Sequence, residues 1–353
     1  MAQIEFQSVT KRFGGNTALD ALTLSVADGE FFVLLGPTGA GKTTALRMIA
    51  GLDMPDSGAI HIASEDVHDL TAAERDVALV FQYYSLYPRY TVRQNLEFPL
   101  RSRIRAFTQA EIDARVDHAA KTLRITHLMD RKTDRLSGGE MQRVSIGRAI
   151  VREPRAFLMD EPLSNLDAKL RESLRAELKE LQIRLKATFV FVTHDQVEAM
   201  SMGDKVGVLN KGRLVQVGTP WDIYNRPRDL FVASFVGSPS MNLLPGTVSG
   251  RECSLFGAAQ VLKLPGQTDA LKLTVGVRAE DVEVMADGPV QAVIHDVENH
   301  GVEKILTLRV GESLVKATVP SQMPTVLDAA VTFRIDPDKA HFFDPGSGQN
   351  LTT

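Results

Sequence analysis

The sequence predicts an α/β domain with a mainly parallel sheet, followed by a smaller all-β domain. The first observation is an alternation of apolar, strand-like runs with helical patterns over residues 1–235. The second is a glycine-rich loop at residues 36–44, set between a strand-like run and the opening of a helix. The third is a change near residue 235, after which short strands separated by Gly, Pro and Asp turns dominate. The second part is therefore predicted to be a separate β-barrel or sandwich.

The composition is ordinary for a globular protein with a full hydrophobic core. The chain has 353 residues, of which 44% are hydrophobic, and a length of this size predicts about two domains. Lys and Arg number 40 against 44 Asp and Glu, for a net charge of −4. This balance gives no basic field that would favour nucleic acid.

Features of the sequence also indicate a compartment. Residues 1–6 lack the basic-then-apolar layout of a signal peptide, and no apolar run approaches the ~20 residues that a membrane helix needs. A single cysteine, Cys253, fits a reducing cytosol and is interpreted as an incidental small residue in a strand. We expect a cytosolic protein, for which peripheral attachment to a membrane stays open.

Two strands and a turn are predicted ahead of the glycine-rich loop. Apolar and polar residues alternate over residues 1–30, with a break at residues 14–16. Phe13 lies just before that break and close enough in sequence to the loop to stack on a nucleotide base. A lone aromatic residue is more often part of a core, so the core alternative stays open.

The glycine-rich loop has the G-x-x-x-x-G-K-T pattern of a phosphate-binding loop. Its glycines let backbone N–H groups approach an anion with no Cβ in the way, and the helix start adds its positive dipole end. Lys42 is predicted to reach the β- and γ-phosphates, and the Thr43 hydroxyl to bind Mg²⁺. The loop residues predicted to contact the nucleotide are Gly36, Pro37, Thr38, Gly39, Ala40, Gly41, Lys42, Thr43 and Thr44.

Three further motifs follow in order. The turn at Ser137, Gly138 and Gly139 opens a helix and is predicted to be a second anion-binding site. Asp160 and Glu161 end an apolar strand, which places one carboxylate for Mg²⁺ and the next where it can polarise a water. His194 ends the following strand, where an imidazole can reach the γ-phosphate. Each motif alone has a plain structural explanation, but their order and spacing favour a nucleoside triphosphate hydrolase.

Elements between these motifs complete the first part. Residues 107–150 are mostly helical in pattern, with Thr108 and Glu111 placed as a capping box. Residues 166–186 are predicted to form a long amphipathic helix. Four of the five tyrosines lie within residues 83–90, which predicts either a surface that docks a partner or a packed aromatic minicore. In the second part, strands are predicted at residues 271–277, 290–297, 305–310, 314–319 and 330–335.

These motifs resemble the ATP-binding subunits of ABC transporters over essentially the whole chain. The matching segments are residues 36–44, Gln82, residues 136–140, Asp160 with Glu161, residues 164–167 and His194. The resemblance is closest to the carbohydrate-importer ATPases of the maltose and glycerol-phosphate type, through residues 81–88, 235–242 and 276–281. It implies a P-loop NTPase domain of the ABC ATPase type over residues 1–235, with a helical subdomain at about residues 88–152. It also implies an OB-like regulatory β domain over residues 236–353.

The resemblance also implies an assembly and roles for single residues. ATP would lie in a head-to-tail homodimer, between the phosphate loop of one subunit and the turn at Ser137, Gly138, Gly139 and Glu140 of the other. Phe13 would stack on adenine, Gln82 would help hold Mg²⁺ and report on the membrane partner, and Glu161 would be the general base. His194 would sense the γ-phosphate. The residues facing a membrane permease would be Tyr83, Tyr84, Leu86, Tyr87 and Pro88.

The chain departs from the family pattern at three of these positions. Glu140 stands where glutamine is commonest, which adds a carboxylate near a polyanion. Two charges ~8 Å apart at an effective dielectric constant of 20 repel by ~2 kcal/mol, which would soften closure or slow turnover. Thr38 and Ala40 stand where serine is frequent, and little effect is expected because the backbone does most of the phosphate binding.

The function predicted from the resemblance is ATP hydrolysis that powers uptake of a sugar, a polyol or a related derivative. The partners would be two integral-membrane permease subunits and, indirectly, a solute-binding protein, with the chain at the cytoplasmic face of the membrane and no nucleic acid bound. The alternative is a soluble ABC ATPase that acts on nucleic acid or ribosomes. The β domain is expected to be regulatory and dimer-stabilising, although OB-like folds also bind nucleic acids and small oxyanions.

Overall fold

The computed structural model describes residues 2–102, 106–266 and 270–352. Contacts divide the chain into two compact units, one ending at Pro220 and one beginning at Trp221. The boundary predicted at residue 235 therefore falls inside the second unit. The physical reason lies in hydrogen bonds: Arg278 donates to the carbonyl of Tyr224 at 2.9 Å, and Asn350 donates to that of Pro227 at 2.7 Å. Residues 221–235 belong with the second unit by these contacts, and the predicted domain limits stay a prediction.

The first unit contains an alternation of strands and helices. Strands β1–β10 lie at Ile4–Phe13, Asn16–Val26, Phe31–Leu35, Ser57–Ile62, Glu65–Asp66, Val77–Val80, Ala156–Asp160, Thr188–Thr193, Lys205–Asn210 and Arg213–Gly218. Helices α1–α6 lie at Lys42–Ile49, Val92–Glu97, Gln109–Thr122, Gly138–Ile150, Ala168–Leu185 and Gln196–Met202. Short 3₁₀ helices occur at Phe98–Leu100, Thr126–Leu128 and Thr133–Arg135. In the part of the chain that the structure describes, every helix is too short or too polar to cross a membrane.

The larger sheet of this unit has the strand order β10-β9-β3-β8-β7-β6. The pairs β9-β3, β3-β8, β8-β7 and β7-β6 are parallel, and β10 pairs with β9 antiparallel at the edge. Every residue of β3 and of β8 is buried, as expected for central strands of a parallel sheet. The predicted mainly parallel sheet is confirmed. A second, antiparallel sheet has the order β2-β1-β4-β5.

The topology brings four strand ends to one edge of the larger sheet. Strands β3, β8, β7 and β6 are neighbours in that order and run in the same direction. Their carboxyl ends are followed by the glycine-rich loop, by His194, by Glu161 and by Gln82. In open α/β sheets the carboxyl edge is where ligands bind. Motifs far apart in sequence therefore converge on one edge.

The second unit is built from β structure. Strands β11–β20 lie at Asn242–Ser249, Glu252–Leu255, Gln260–Lys263, Lys272–Val277, Val282–Met285, Val290–Asn299, Glu303–Val310, Ser313–Pro320, Ala330–Ile335 and His341–Phe343. Helix α7, Pro220–Asn225, and helix α8, Leu230–Phe235, precede them, and 3₁₀ turns lie at Phe256–Ala258, Ala279–Asp281 and Pro337–Lys339. The five strands predicted from sequence correspond to β14 and β16–β19. The strands that the sequence analysis did not delimit are β11–β13, β15 and β20.

Two five-stranded antiparallel sheets, β13-β12-β11-β14-β20 and β15-β19-β16-β17-β18, share one core in this unit. Buried amide side chains link them. Gln260 of β13 donates to the carbonyl of Ile335 at 2.7 Å and accepts from its N–H at 2.9 Å. Asn242 of β11 makes the same pair of bonds to Lys316 of β18, at 2.8 and 2.7 Å. Cys253 is buried in β12, in agreement with its interpretation as a structural residue.

A buried arginine stabilises the helix that follows the glycine-rich loop. Arg75 is 1% exposed, and its guanidinium donates to the carbonyls of Met48 at 2.6 Å and Leu70 at 3.2 Å. Met48 lies in the last turn of α1, where carbonyls lack helical partners and the dipole favours a cation. Burial lowers the pKa of Arg75. This arginine therefore holds the end of α1 opposite the loop.

Replacing Arg75 by alanine is expected to destabilise the first unit by about 2–4 kcal/mol, because buried carbonyls lose their donors. The measurement is the unfolding midpoint of that unit in denaturant. Arg184→Ala is the matched control, since Arg184 is 47% exposed and pairs with Glu180 on the surface, where a pair contributes about 0–1 kcal/mol. An equal loss of unfolding free energy in the two variants would contradict the role given to Arg75.

Candidate functional site

The glycine-rich loop has the predicted strand–loop–helix setting. Residues 36–41 connect β3 to α1, and Lys42, Thr43 and Thr44 form the first turn of the helix. Gly41 has a φ of 105°, which glycine adopts at little cost. A Cβ added at Gly41 would collide with the carbonyl oxygen of Ala18, and one added at Gly36 with that of Leu209. Close packing therefore requires glycine at both positions, and the backbone conformation requires it at Gly41 as well.

Lys42 lies inside this loop with its charge already partnered. The residue is 4% exposed, and its Nζ donates to the carbonyls of Gly36 and Pro37, each at 3.0 Å. Glu161 Oε1 lies 3.5 Å from the same nitrogen. Burial lowers the pKa of Lys42, while the carboxylate of Glu161 acts in the opposite direction. The buried ammonium group is therefore surrounded by two carbonyl oxygens and one carboxylate oxygen.

Thr43 and Asp160 meet across the loop. The Thr43 hydroxyl donates to Asp160 Oδ1 at 2.9 Å. Burial raises the pKa of Asp160, and the hydrogen bond from Thr43 opposes this shift. A hydroxyl and a carboxylate oxygen at this separation are ligands of the class that Mg²⁺ prefers. The donor set fits that ion.

Glu161 and His194 form a pair beside the loop. The carboxylate of Glu161 is 17% exposed, and its Oε2 lies 3.0 Å from His194 Nδ1. Glu161 has a φ of 44°, and its N–H donates to the carbonyl of Val192 in β8 at 3.0 Å. Left-handed backbone at a non-glycine residue is uncommon and concentrates at functional sites. The carboxylate is thereby placed between Lys42 and His194.

Gln82 is connected to the loop that follows Glu161. Its side chain donates to Ser164 Oγ at 3.2 Å, and Asn165 donates to the Gln82 carbonyl at 3.0 Å. The structure brings Gln82 to the carboxyl edge, with its amide directed to Ser164. Its predicted part in holding Mg²⁺ stays a prediction.

Phe13 ends β1 and is 50% exposed, with Lys11 Nζ 5.3 Å from its ring centroid. The hairpin that carries it is anchored to the loop, because the carbonyl of Ala18 packs against Gly41. An exposed ring beside the loop keeps the base-stacking prediction open.

The turn at Ser137 forms a capping box that the sequence analysis missed. Ser137 is the N-cap of α4, and Glu140 Oε2 accepts from the Ser137 N–H at 2.7 Å and from its hydroxyl at 2.9 Å. The S-x-x-E pattern is the same signal that identified Thr108 and Glu111, whose box is confirmed. The carboxylate that the sequence analysis placed near a polyanion is thus bound at its own helix start through Oε2, and its Oε1 lies 3.7 Å from Arg131.

The glycines of this turn pack closely against side chains from other parts of the first unit. A Cβ at Gly138 would lie 3.2 Å from the Tyr84 hydroxyl and 3.3 Å from Leu166, and one at Gly139 would lie 2.7 Å from Leu170. Among the described residues, the hydrogen bonds of Ser137 do not reach the glycine-rich loop. The structure of one chain thus leaves the two predicted anion-binding turns unconnected.

The tyrosine-rich segment contains the predicted packed aromatic cluster and also exposed aromatic side chains, and docking of a partner there stays a prediction. Tyr87, Tyr90 and Phe98 pack together, with ring centroids 4.4–6.3 Å apart. Tyr83 is 74% exposed and Phe81 is 40% exposed. A cleft of about 130 Å³ opens beside them and is lined in part by Phe81, Tyr84, Ser85, Pro99 and Arg148. Pro88 is exposed and Leu86 half-buried.

Comparison with known proteins agrees with this geometry. The ABC transporter family profile matches residues 19–164, the MalK OB fold domain residues 237–282, and the TOBE domain residues 275–343. The trehalose/maltose import ATP-binding protein MalK of Thermococcus litoralis is 45% identical, over 99% of this chain and 100% of its own length. The sn-glycerol-3-phosphate import ATP-binding protein UgpC of a Ruegeria species is 44% identical, over 99% of both chains.

A solved structure extends the likeness to three dimensions. It is a dimeric ATP-binding cassette in a post-hydrolysis state, bound to ADP and Pi, with 31% identity and a TM-score of 0.54. The match covers 62% of this chain and 98% of that chain. The predicted OB-type β domain and ABC ATPase fold are confirmed by these matches. With a relative 45% identical along its full length, this chain belongs to the family of ABC transporter ATP-binding proteins.

Proposed function

We propose that this chain binds ATP with Mg²⁺ and hydrolyses it, and that hydrolysis powers import of a sugar, a polyol or a related derivative. One arrangement carries the hydrolytic part: Lys42, the Thr43–Asp160 pair and the Glu161–His194 pair surround a single phosphate-binding loop. Phosphoryl transfer to water needs a cation at the phosphates, ligands for a metal ion and a base for the water. All three kinds of group lie at the carboxyl edge of the sheet. The relatives are import proteins, and nothing in them supports action on nucleic acid or ribosomes.

The phosphates would be bound by backbone N–H groups within residues 38–44 and by the Lys42 ammonium. Thr43 and Asp160 would hold Mg²⁺, with Gln82 joining them once its amide turns from Ser164. When bound, Mg²⁺ neutralises charge that develops on the β- and γ-phosphates. Phe13 would stack on adenine from the adjacent hairpin.

Glu161 is the proposed general base. Its carboxylate is oriented by His194 at 3.0 Å and lies 3.5 Å from Lys42, so it faces the place where a γ-phosphate would bind. A water between this carboxylate and the phosphorus would lose its proton to Glu161 as it attacks. His194 would contact the γ-phosphate and keep the carboxylate in place.

A head-to-tail homodimer completes the proposed site. Within one chain, the Ser137 turn makes no hydrogen bond to the glycine-rich loop among the described residues. A second subunit would bring Ser137, Gly138 and Gly139 to the γ-phosphate held by the first. The dimeric cassette with 31% identity supports this assembly.

Permease subunits are proposed to dock at the cleft beside Phe81 and Tyr83. Exposed aromatic side chains beside a cleft are typical of the anchors in protein interfaces. Phe81 directly precedes Gln82, which lies at the carboxyl edge of the sheet. Docking of a permease at this surface would therefore be linked to hydrolysis. The chain would accordingly attach peripherally to the cytoplasmic face of the membrane, and a solute-binding protein would act through the permease.

The second unit is proposed to be regulatory and to stabilise the dimer. Its OB-fold and TOBE matches, at residues 237–282 and 275–343, support a module separate from the hydrolytic site. OB-like folds accept several ligand classes, so the fold alone does not choose a regulator.

Glu161→Gln is expected to keep ATP binding and to lower kcat by about 10²–10⁴, because the proposed base is lost. The measurement is phosphate release beside equilibrium binding of ATP. Glu180→Gln, an exposed carboxylate on α5 paired with Arg184, is the matched control and should turn over normally. Turnover near the wild-type rate in Glu161→Gln would show that another group takes the proton.

Phe81→Arg is expected to weaken recovery of the chain with its permease by about tenfold or more, since an apolar anchor becomes charged. Hydrolysis by the isolated chain should change little. Ile183→Arg is the control, because Ile183 is an exposed apolar residue on α5, 62% accessible. The measurement is co-purification from detergent-solubilised membranes, and equal recovery of both variants would place the docking surface elsewhere.

A further inference from the structure

Glu140 lies in the first turn of α4, at the positive end of the helix dipole. One carboxylate oxygen, Oε2, accepts both the N–H and the hydroxyl of Ser137, at 2.7 and 2.9 Å. The other oxygen lies 3.7 Å from Arg131. The backbone hydrogen bond from Ser137 lowers the pKa of Glu140, and the Arg131 guanidinium acts in the same direction. The group is therefore an anion bound at an anion-binding turn.

A γ-phosphate at this turn would need the same donors. The Ser137 hydroxyl carries one proton and donates it to one acceptor at a time. A phosphate oxygen that accepts from Ser137 must displace Glu140 Oε2, and the carboxylate then faces a polyanion. Glutamine at this position would form the same capping box without the charge.

We propose that Glu140 is a positioning residue that opposes ATP-dependent closure of the dimer. Its carboxylate holds the Ser137 hydroxyl until the γ-phosphate on the partner subunit displaces it toward Arg131. This inference rests on the ATP-bound dimer of the proposed function. The closed, ATP-bound dimer is consequently less stable than it would be with a neutral side chain at residue 140.

The chain contains a matched control for the capping role. At the start of α3, Glu111 Oε2 accepts from the N–H and the hydroxyl of Thr108, at 2.7 and 2.8 Å. The chemistry and geometry match those at Ser137, but α3 carries none of the site residues. A loss of capping strength would therefore affect Glu111→Gln and Glu140→Gln alike.

The test measures ATP retained by the full-length chain after rapid desalting, as a function of ATP concentration, in the Glu161→Gln background. Adding Glu140→Gln should lower the half-saturating ATP concentration by about tenfold or more. Adding Glu111→Gln should leave it within about twofold, and both additions should leave thermal stability similar.

Salt dependence distinguishes an electrostatic effect of Glu140 from a structural effect of replacing it. Between 0.01 and 1 M salt the Debye length falls from about 30 to about 3 Å. The ratio of the half-saturating ATP concentrations measured without and with Glu140→Gln should therefore shrink toward one as salt is added. Retention that is equal with and without Glu140→Gln would overturn the inference while leaving the dimer intact. Absence of retained ATP in the Glu161→Gln parent would overturn the closed dimer itself, and the inference with it.

Discussion

Strands β3, β8 and β7 lie side by side and run parallel, and the rest of the site depends on this arrangement. Leu35 pairs with Thr193, and Asp160 pairs with Val192, so the loop, His194 and Glu161 follow one edge at neighbouring positions. A slip of one residue would move a strand end by about 3.3 Å and direct its side chains to the other face. The 3.0 and 3.5 Å contacts of the Glu161 carboxylate would then be lost. The register of these strands therefore sets the geometry of the candidate site.

Both predicted anion-binding turns hold one of the protein's own carboxylates. Glu161 lies 3.5 Å from Lys42 at the glycine-rich loop, and Glu140 accepts from Ser137 at the start of α4. In each case the carboxylate lies at a donor group that a phosphate oxygen would approach in the proposed function. The two cases differ in consequence. Glu161 is the proposed base and would stay beside the phosphate, whereas Glu140 has no proposed chemical step and would contribute only charge.

Much of this account could be predicted from local patterns. The G-x-x-x-x-G-K-T loop, the Asp160–Glu161 strand end and the longer strands of the second unit are visible because periodicity and spacing are local. Arg75 could not be predicted, because its role depends on carbonyls brought together by the fold. The same holds for Gln260 and Asn242, whose amides link two sheets. The Ser137–Glu140 capping box is also a local pattern, the same S/T-x-x-E spacing that predicts the box at Thr108 and Glu111.

The most direct test of the central claim, a nucleotide held between two subunits, uses a pair of engineered thiols. The chain has one cysteine, Cys253, and it is buried, so introduced thiols give a clean signal. One subunit would carry Thr38→Cys and a differently tagged subunit Met141→Cys, both with Glu161→Gln. The account predicts a disulfide between the two chains that forms with ATP and is largely absent without it. A disulfide yield that does not respond to ATP would contradict the head-to-tail site.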